Sequence, residues 1–132
     1  MIGVDTNVLV RVAVKDNIAQ TTAAQAFLAQ RSVDDPAFIS AVVLAELAWV
    51  LDRAYGFSHE RIEGVFDWVM ESANIIVERA DLVERALSVA HSARAGIADC
   101  IIAAVAKDAG ASKIVTFDKP AANRIPGMEL LK

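Results

Sequence analysis

Cysteine is almost missing from this 132-residue chain: the single Cys100 cannot close an internal disulfide and has no partner thiol with which to hold zinc. His59 and His91 are too far apart in sequence to supply a zinc pair, so the three read as surface, surface and core residues. Long apolar runs are also missing. The longest, residues 41–51, is interrupted by Glu46 and is too short to cross a bilayer. The opening MIGVDTNVLV has no basic n-region and carries an acid at position 5, so a cytoplasmic protein without a cleaved signal is expected. No glycine-rich phosphate loop, GxGxxG or GxSxG occurs, which leaves nucleoside triphosphates and dinucleotides without a seat. Basic charge is in deficit, with 13 Lys and Arg against 17 Asp and Glu, for a net charge of −4. That excludes a protein that grips nucleic acid through a broad basic face, but not one that reaches it through metal ions. Linkers, repeats and low-complexity segments are absent, and the length suits one domain over residues 1–132.

The chain does have apolar residues, 55% of the total, which excludes a disordered polymer. Short apolar runs at residues 1–4, 37–39, 74–78, 113–117 and 128–131 read as strands. Between them, helices are expected from Thr6, over 17–31 with Asp16 as N-cap, over 41–55 capped by Ser40, and from Ser58 to about residue 71. Gly56 stands where a left-handed residue closes the third of these. Asp81 and Glu84 resemble a capping box for a helix over 82–94, Gly96 separates it from a helix over 97–109, and 118–123 is a helical turn. Strands too apolar for period-two patterning, alternating with helices, define an α/β domain: a short central parallel sheet with helices on both faces, in three α/β/α layers.

The acids divide by their surroundings. Glu60, Glu63, Asp67 and Glu71 recur at helical spacing and form one solvated face, and Asp52, Asp81, Glu84 and Asp108 read as caps or surface charges. Glu46 differs, since Val42, Val43, Trp49 and Val50 are its helical neighbours. Asp99 differs in the same way among Ala95, Gly96, Ile102 and Ala103. A charge on a buried apolar face is costly unless paired or bound to a cation. Asp5 and Asp118 each follow an apolar strand, at the carboxyl edge where parallel sheets bind ligands. Each of the four could separately cap a helix or pair with an arginine. Brought to one crevice, they would repel by roughly 1 to 4 kcal/mol per close pair. A hard divalent ion such as Mg²⁺ or Mn²⁺ relieves that repulsion. Asp5-Thr6-Asn7 also invites comparison with phosphomonoesterases that use an aspartate nucleophile, although position 7 carries Asn where a second carboxylate is usual.

With VDTNVLVR at the start, ISAVVLAELAWVLDRAYGF in the middle, and GIADCIIAAVA and KIVTFD near the end, the chain resembles the PIN domain. Within that family it resembles the VapC-type toxin ribonucleases of toxin–antitoxin pairs. The resemblance implies that Asp5, Glu46, Asp99 and Asp118 bind metal, that Asn7 helps hold the metal-bound water, and that Thr116 is a small hydroxyl residue near the site. After Asp118 the chain has Lys119, Pro120 and Ala121, where many relatives have a further acid, so a stable second metal site is not expected before substrate binds. The implied reaction is Mg²⁺- or Mn²⁺-dependent hydrolysis of RNA phosphodiesters. Arg11, Lys15, Arg53, Arg94, Lys119 and Arg124 are candidates to hold the RNA backbone. Trp49 reads as a core residue. Among the aromatics at Tyr55, Phe57, Phe66 and Trp68, some belong to the region that relatives use for homodimerisation and for the antitoxin's C-terminal segment. A PIN-like binding module without catalysis is the alternative. Without the four acids, 13 acidic residues remain against 13 basic ones, so the whole net charge can be assigned to the expected site.

Overall fold

The five expected strands all form, one over 37–39 as expected and the other four trimmed by their neighbouring turns, in a computed structural model that describes all 132 residues. They are β1 (Ile2–Gly3), β2 (Ala37–Ile39), β3 (Ile75–Val77), β4 (Ile114–Thr116) and β5 (Met128–Leu130). Seven helices lie between them: α1 (Thr6–Ala13), α2 (Ile18–Ala29), α3 (Ala41–Arg53), α4 (His59–Glu71), α5 (Ala80–Ala93), α6 (Ile97–Asp108) and α7 (Lys119–Arg124). The chain divides into two compact units, Met1–Glu78 and Arg79–Lys132. No helix is long and apolar enough to cross a membrane.

In the first unit β1, β2 and β3 pair in that order, all parallel, with Ile2 opposite Ala37 and Phe38 opposite Ile76. Parallel neighbours need a crossover, and each is a pair of helices, α1 with α2 and α3 with α4. The helices start where the sequence offers an oxygen to their free amides. Ser40 Oγ accepts from Val43 N–H, and Ser58 Oγ accepts from Arg61 N–H, both at 3.2 Å. Gly56, at φ 63°, takes the left-handed turn after α3. Leu9, Ile39, Leu44, Leu47, Leu51, Phe66 and Val69 are fully enclosed and form the core. One cap differs from expectation: Asn17, not Asp16, accepts the Gln20 N–H at the start of α2. Asp16 is drawn instead to the Arg11 guanidinium at 2.9 Å. Trp49 is a larger departure, since it lies 56% exposed, and Phe66, with Phe57, is the aromatic that fills the core.

The second unit pairs β4 with β5 in parallel, Ile114 opposite Met128, across the short α7. Leu82, Val83, Ala86 and Ala90 on α5, and Ile97, Cys100, Ile101 and Ala103 on α6, are their buried residues. Helix α5 begins at Ala80 rather than residue 82, and the expected capping box is not what starts it. Arg79, at φ 49°, is the N-cap, and its guanidinium takes Asp81. The same fork donates to Asp108 Oδ2 at 2.9 Å, linking the start of α5 to the end of α6. Asp81 and Asp108, read as surface charges, are thus members of one ion-pair cluster.

Hydrogen bonding to Arg79 holds the carboxyls of both Asp81 and Asp108 below the ordinary carboxylate range. A depressed folded-state pKa stabilises the fold above the unfolded value of about 4, and the contribution disappears as pH falls through the depressed values. Arg79→Met is therefore expected to raise both carboxyl titrations towards ordinary values in carbon-detected NMR. Acid unfolding should then begin at a higher pH, by an amount that shrinks in high salt because the cluster is exposed. Unchanged Asp108 titration in the variant would show that the arginine does not set it.

Candidate functional site

Asp5 and Asp118 hold equivalent positions in the two units. Each stands two residues beyond a parallel strand, β1 or β4, and is the N-cap of the helix that follows. What their carboxylates do differs. Asp118 Oδ1 accepts the Ala121 N–H at 3.0 Å, so one oxygen closes α7 and the other remains available. The Thr116 hydroxyl accepts the Asp118 N–H at 3.0 Å, which secures the turn between β4 and α7 and orients the aspartate. Asp5 makes no capping hydrogen bond at all, although its backbone is extended as an N-cap requires, and its side chain is exposed.

Glu46 lies in the second turn of α3, which starts directly after β2. Because β1 and β2 are parallel neighbours, α1 and α3 both leave from the carboxyl edge of the first unit's sheet. Asp5 and Glu46 therefore belong to the same edge. The burial reasoning for Glu46 does not hold: its side chain is exposed, and so are Val42 at 78% and Trp49. Helical spacing identified an apolar face correctly but could not show that this face is uncovered. The carboxylates of Glu46 and Asp5 carry neither a hydrogen bond nor an ion pair.

Asp99 is at the third position of α6, half-buried, and its carboxylate folds back towards Gly96, the N-cap. A β-carbon on Gly96 would lie 3.3 Å from Asp99 Oδ2. Next to it, the Cys100 thiol is pushed up to about 11, by burial first and then by the negative charge of Asp99. At neutral pH it is a protonated core thiol, not a nucleophile.

Sequence reasoning missed Thr6. Its residue is 4% exposed, and its Oγ1 is buried with no hydrogen-bond partner. A buried hydroxyl left unpaired costs about 1–3 kcal/mol. Thr6→Val, which keeps the shape and removes the hydroxyl, is expected to stabilise the chain by about 1 kcal/mol in urea denaturation. A loss of stability would mean that the hydroxyl has a partner in solution. No pattern in the sequence marks this residue, because a threonine after an N-cap is ordinary.

The basic candidates separate into two kinds. Arg11 is engaged within the fold: its Nε donates to Gln20 Oε1 at 2.6 Å and its Nη1 to Asp16, while its carbonyl accepts the Thr21 hydroxyl. Arg124 donates to the Arg94 carbonyl at 3.1 Å, and Arg94 closes α5 at φ 55°. Lys15, Arg53 and Lys119 are exposed. Asn7, also exposed, lines an open cleft of about 410 Å³ between α1 and α2 with Val8, Arg11, Gln20 and Phe27.

The donors fit a hard divalent ion in kind. They are carboxylate oxygens, two of the four carboxylates are uncommitted, and Asp118 retains one free oxygen. Neither unit alone gathers three or more Asp, Glu, His or Cys side chains into a cation-sized group.

Residues 2–125 match the PIN domain family, and the chain belongs to it. Its seven helices and short parallel sheets agree with the three-layer α/β fold expected for that family. PIN domains are generally metal-dependent nucleases. No curated protein matches the chain.

Proposed function

We propose that this PIN domain, spanning residues 1–132, is a metal-dependent endoribonuclease of the VapC toxin type, and that a cognate antitoxin inhibits it. The single observation that carries the reading is the state of the four acids. Asp5 and Asp118 follow parallel strands at equivalent positions, and Asp5 and Glu46 are left without any partner. Elsewhere in the fold, acids such as Asp16, Asp81 and Asp108 are neutralised by arginines. Exposed carboxylates are stable in water without a partner, but these leave their oxygens free for a hard divalent ion at the carboxyl edge of a parallel sheet.

Asp5, Asp99 and Asp118, together with Glu46, are the residues that would hold Mg²⁺ or Mn²⁺. When bound, the ion supplies Lewis-acid charge to the phosphodiester and an acidified water. Glu46, free of any partner, can accept a proton from the attacking water or orient it. Asn7 would offer an amide to the same water, and Thr116 keeps Asp118 in place by accepting its N–H. Lys15, Arg53 and Lys119 are the exposed cations best suited to the RNA backbone. Arg11, Arg94 and Arg124 also serve the fold.

The proposed partners, a second copy of the chain and the antitoxin, draw support from apolar surface on α3 and α4. Val42, Trp49 and Trp68 are exposed there. Trp68 also borders an open cleft of about 350 Å³, with Leu28, Arg31, Ser72 and Ile75. A cytoplasmic location agrees with this function.

The test is cleavage of a mixed RNA substrate with millimolar Mg²⁺ or Mn²⁺, with and without excess EDTA. Cleavage that stops with EDTA is expected. Full activity in EDTA, or hydrolysis of chromogenic phosphomonoesters in place of RNA, would overturn the reading. Failure to bind Mn²⁺ by calorimetry would favour a non-catalytic binding module.

A further inference from the structure

Of the six glycines, Gly96 is the one whose missing side chain faces a functional group. Its backbone, at φ −63° and ψ 133°, is one that any residue adopts, so the conformation does not require glycine. Glycine there is also not the strongest choice as an N-cap, where a Ser, Thr, Asp or Asn side chain can accept an amide of the first turn. The residue is exposed, so close packing does not require it either. Apart from its two chain neighbours, the only atoms within 4 Å of a β-carbon placed at this position belong to Asp99: Oδ2 at 3.3 Å and Cγ at 4.0 Å. The other five glycines differ: around Gly3, Gly56, Gly64 and Gly110 the space is open, and at Gly127 only an Ile114 methyl lies nearby, at 3.9 Å.

We infer that Gly96 is a positioning residue: it leaves vacant the space into which the Asp99 carboxylate folds over the start of α6. This rests on the reading of Asp99 as a metal ligand. From the third helical position a short aspartate can turn back over the N-cap, towards the positive end of the helix. A β-carbon at 3.3 Å is tighter than ordinary van der Waals contact, so the carboxylate has to give way by a few tenths of an ångström or change rotamer. Metal coordination tolerates little displacement of that size, and loss of the groups that orient a ligand typically costs 10–100-fold in metal affinity or activity.

The experiment measures Mn²⁺ affinity of the full chain, free of RNA, by calorimetry and by electron paramagnetic resonance. It compares wild type, Gly96→Ala, Gly96→Ser and Asp99→Asn, with thermal melting of each metal-free protein as the fold control. Gly96→Ala is expected to weaken Mn²⁺ binding about tenfold, at the lower end of that range, while its melting temperature stays close to wild type. Gly96→Ser adds the same β-carbon together with a capping hydroxyl, and is expected to bind Mn²⁺ as weakly as the alanine variant. It also carries the test if Gly96→Ala fails to fold. Wild-type affinity in either glycine variant, with Asp99→Asn impaired, would overturn the positioning role alone; recovery in the serine variant would assign Gly96 to capping. Equal Mn²⁺ affinity in wild type and Asp99→Asn would remove the metal-ligand reading itself, and the role of Gly96 with it.

Discussion

Asp5→Asn is expected to lower RNA cleavage by about 10²–10³-fold, with Mg²⁺ or Mn²⁺ at millimolar concentration. The scale follows from two comparisons: losing one preorganised electrostatic group costs about 10²–10³ in rate, and losing a partner that merely orients a metal ligand costs about 10–100-fold. Removing a ligand's charge should cost at least as much as removing its support. The substitution is well suited to separating function from fold. Asp5 caps nothing and pairs with nothing, and asparagine is as good an N-cap as aspartate. The metal-free melting temperature should therefore change little, corresponding to less than about 0.5 kcal/mol. Mn²⁺ should raise the melting temperature of wild type and fail to raise that of the variant, because only a ligand that binds the folded state shifts the equilibrium. Retained cleavage in Asp5→Asn would remove Asp5 from the site.

Phe66→Ala carries the largest expected effect on stability, about 3–5 kcal/mol of unfolding free energy. Its ring is fully enclosed in the first unit, in a core built mostly from Leu, Ile, Val and Ala side chains, and alanine would leave a void. A loss of that size is a large part of the roughly 5–15 kcal/mol that holds an ordinary domain together. The urea midpoint should fall steeply, with poor soluble yield. Trp49→Ala provides the contrast. Sequence reasoning would rank it with Phe66, but the tryptophan is more than half exposed, and its truncation should cost the chain far less. Equal losses from the two would show that the α3 face is covered in solution.

The helix and strand order was readable because local signals agreed with one another. Ser40 and Ser58 cap where a hydroxyl before an apolar run predicts, Gly56 turns left-handed, and Asp118 caps α7. Where two nearby residues competed for one role, the sequence could not arbitrate. Asp16 was the expected N-cap for α2, but Arg11 claimed the aspartate and Asn17, taken as the first helical residue, became the cap. Asp81 looked like half of a capping box until Arg79, in a left-handed conformation that sequence rarely announces, took it into an ion pair.

By itself, then, the amino-acid sequence determined the α/β class, the order of elements and the candidate acids. These depend on contacts between near neighbours: apolar runs, caps and turns. Only the tertiary structure decided which faces are covered and which charges are neutralised. Glu46 and Trp49 lie on an apolar helical face that looked like core and is open, while Asp81 and Asp108, 27 positions apart, share one guanidinium. Periodicity describes the pattern around a single helix. Exposure and ion pairing depend on what the rest of the chain brings against it, and that information is not local.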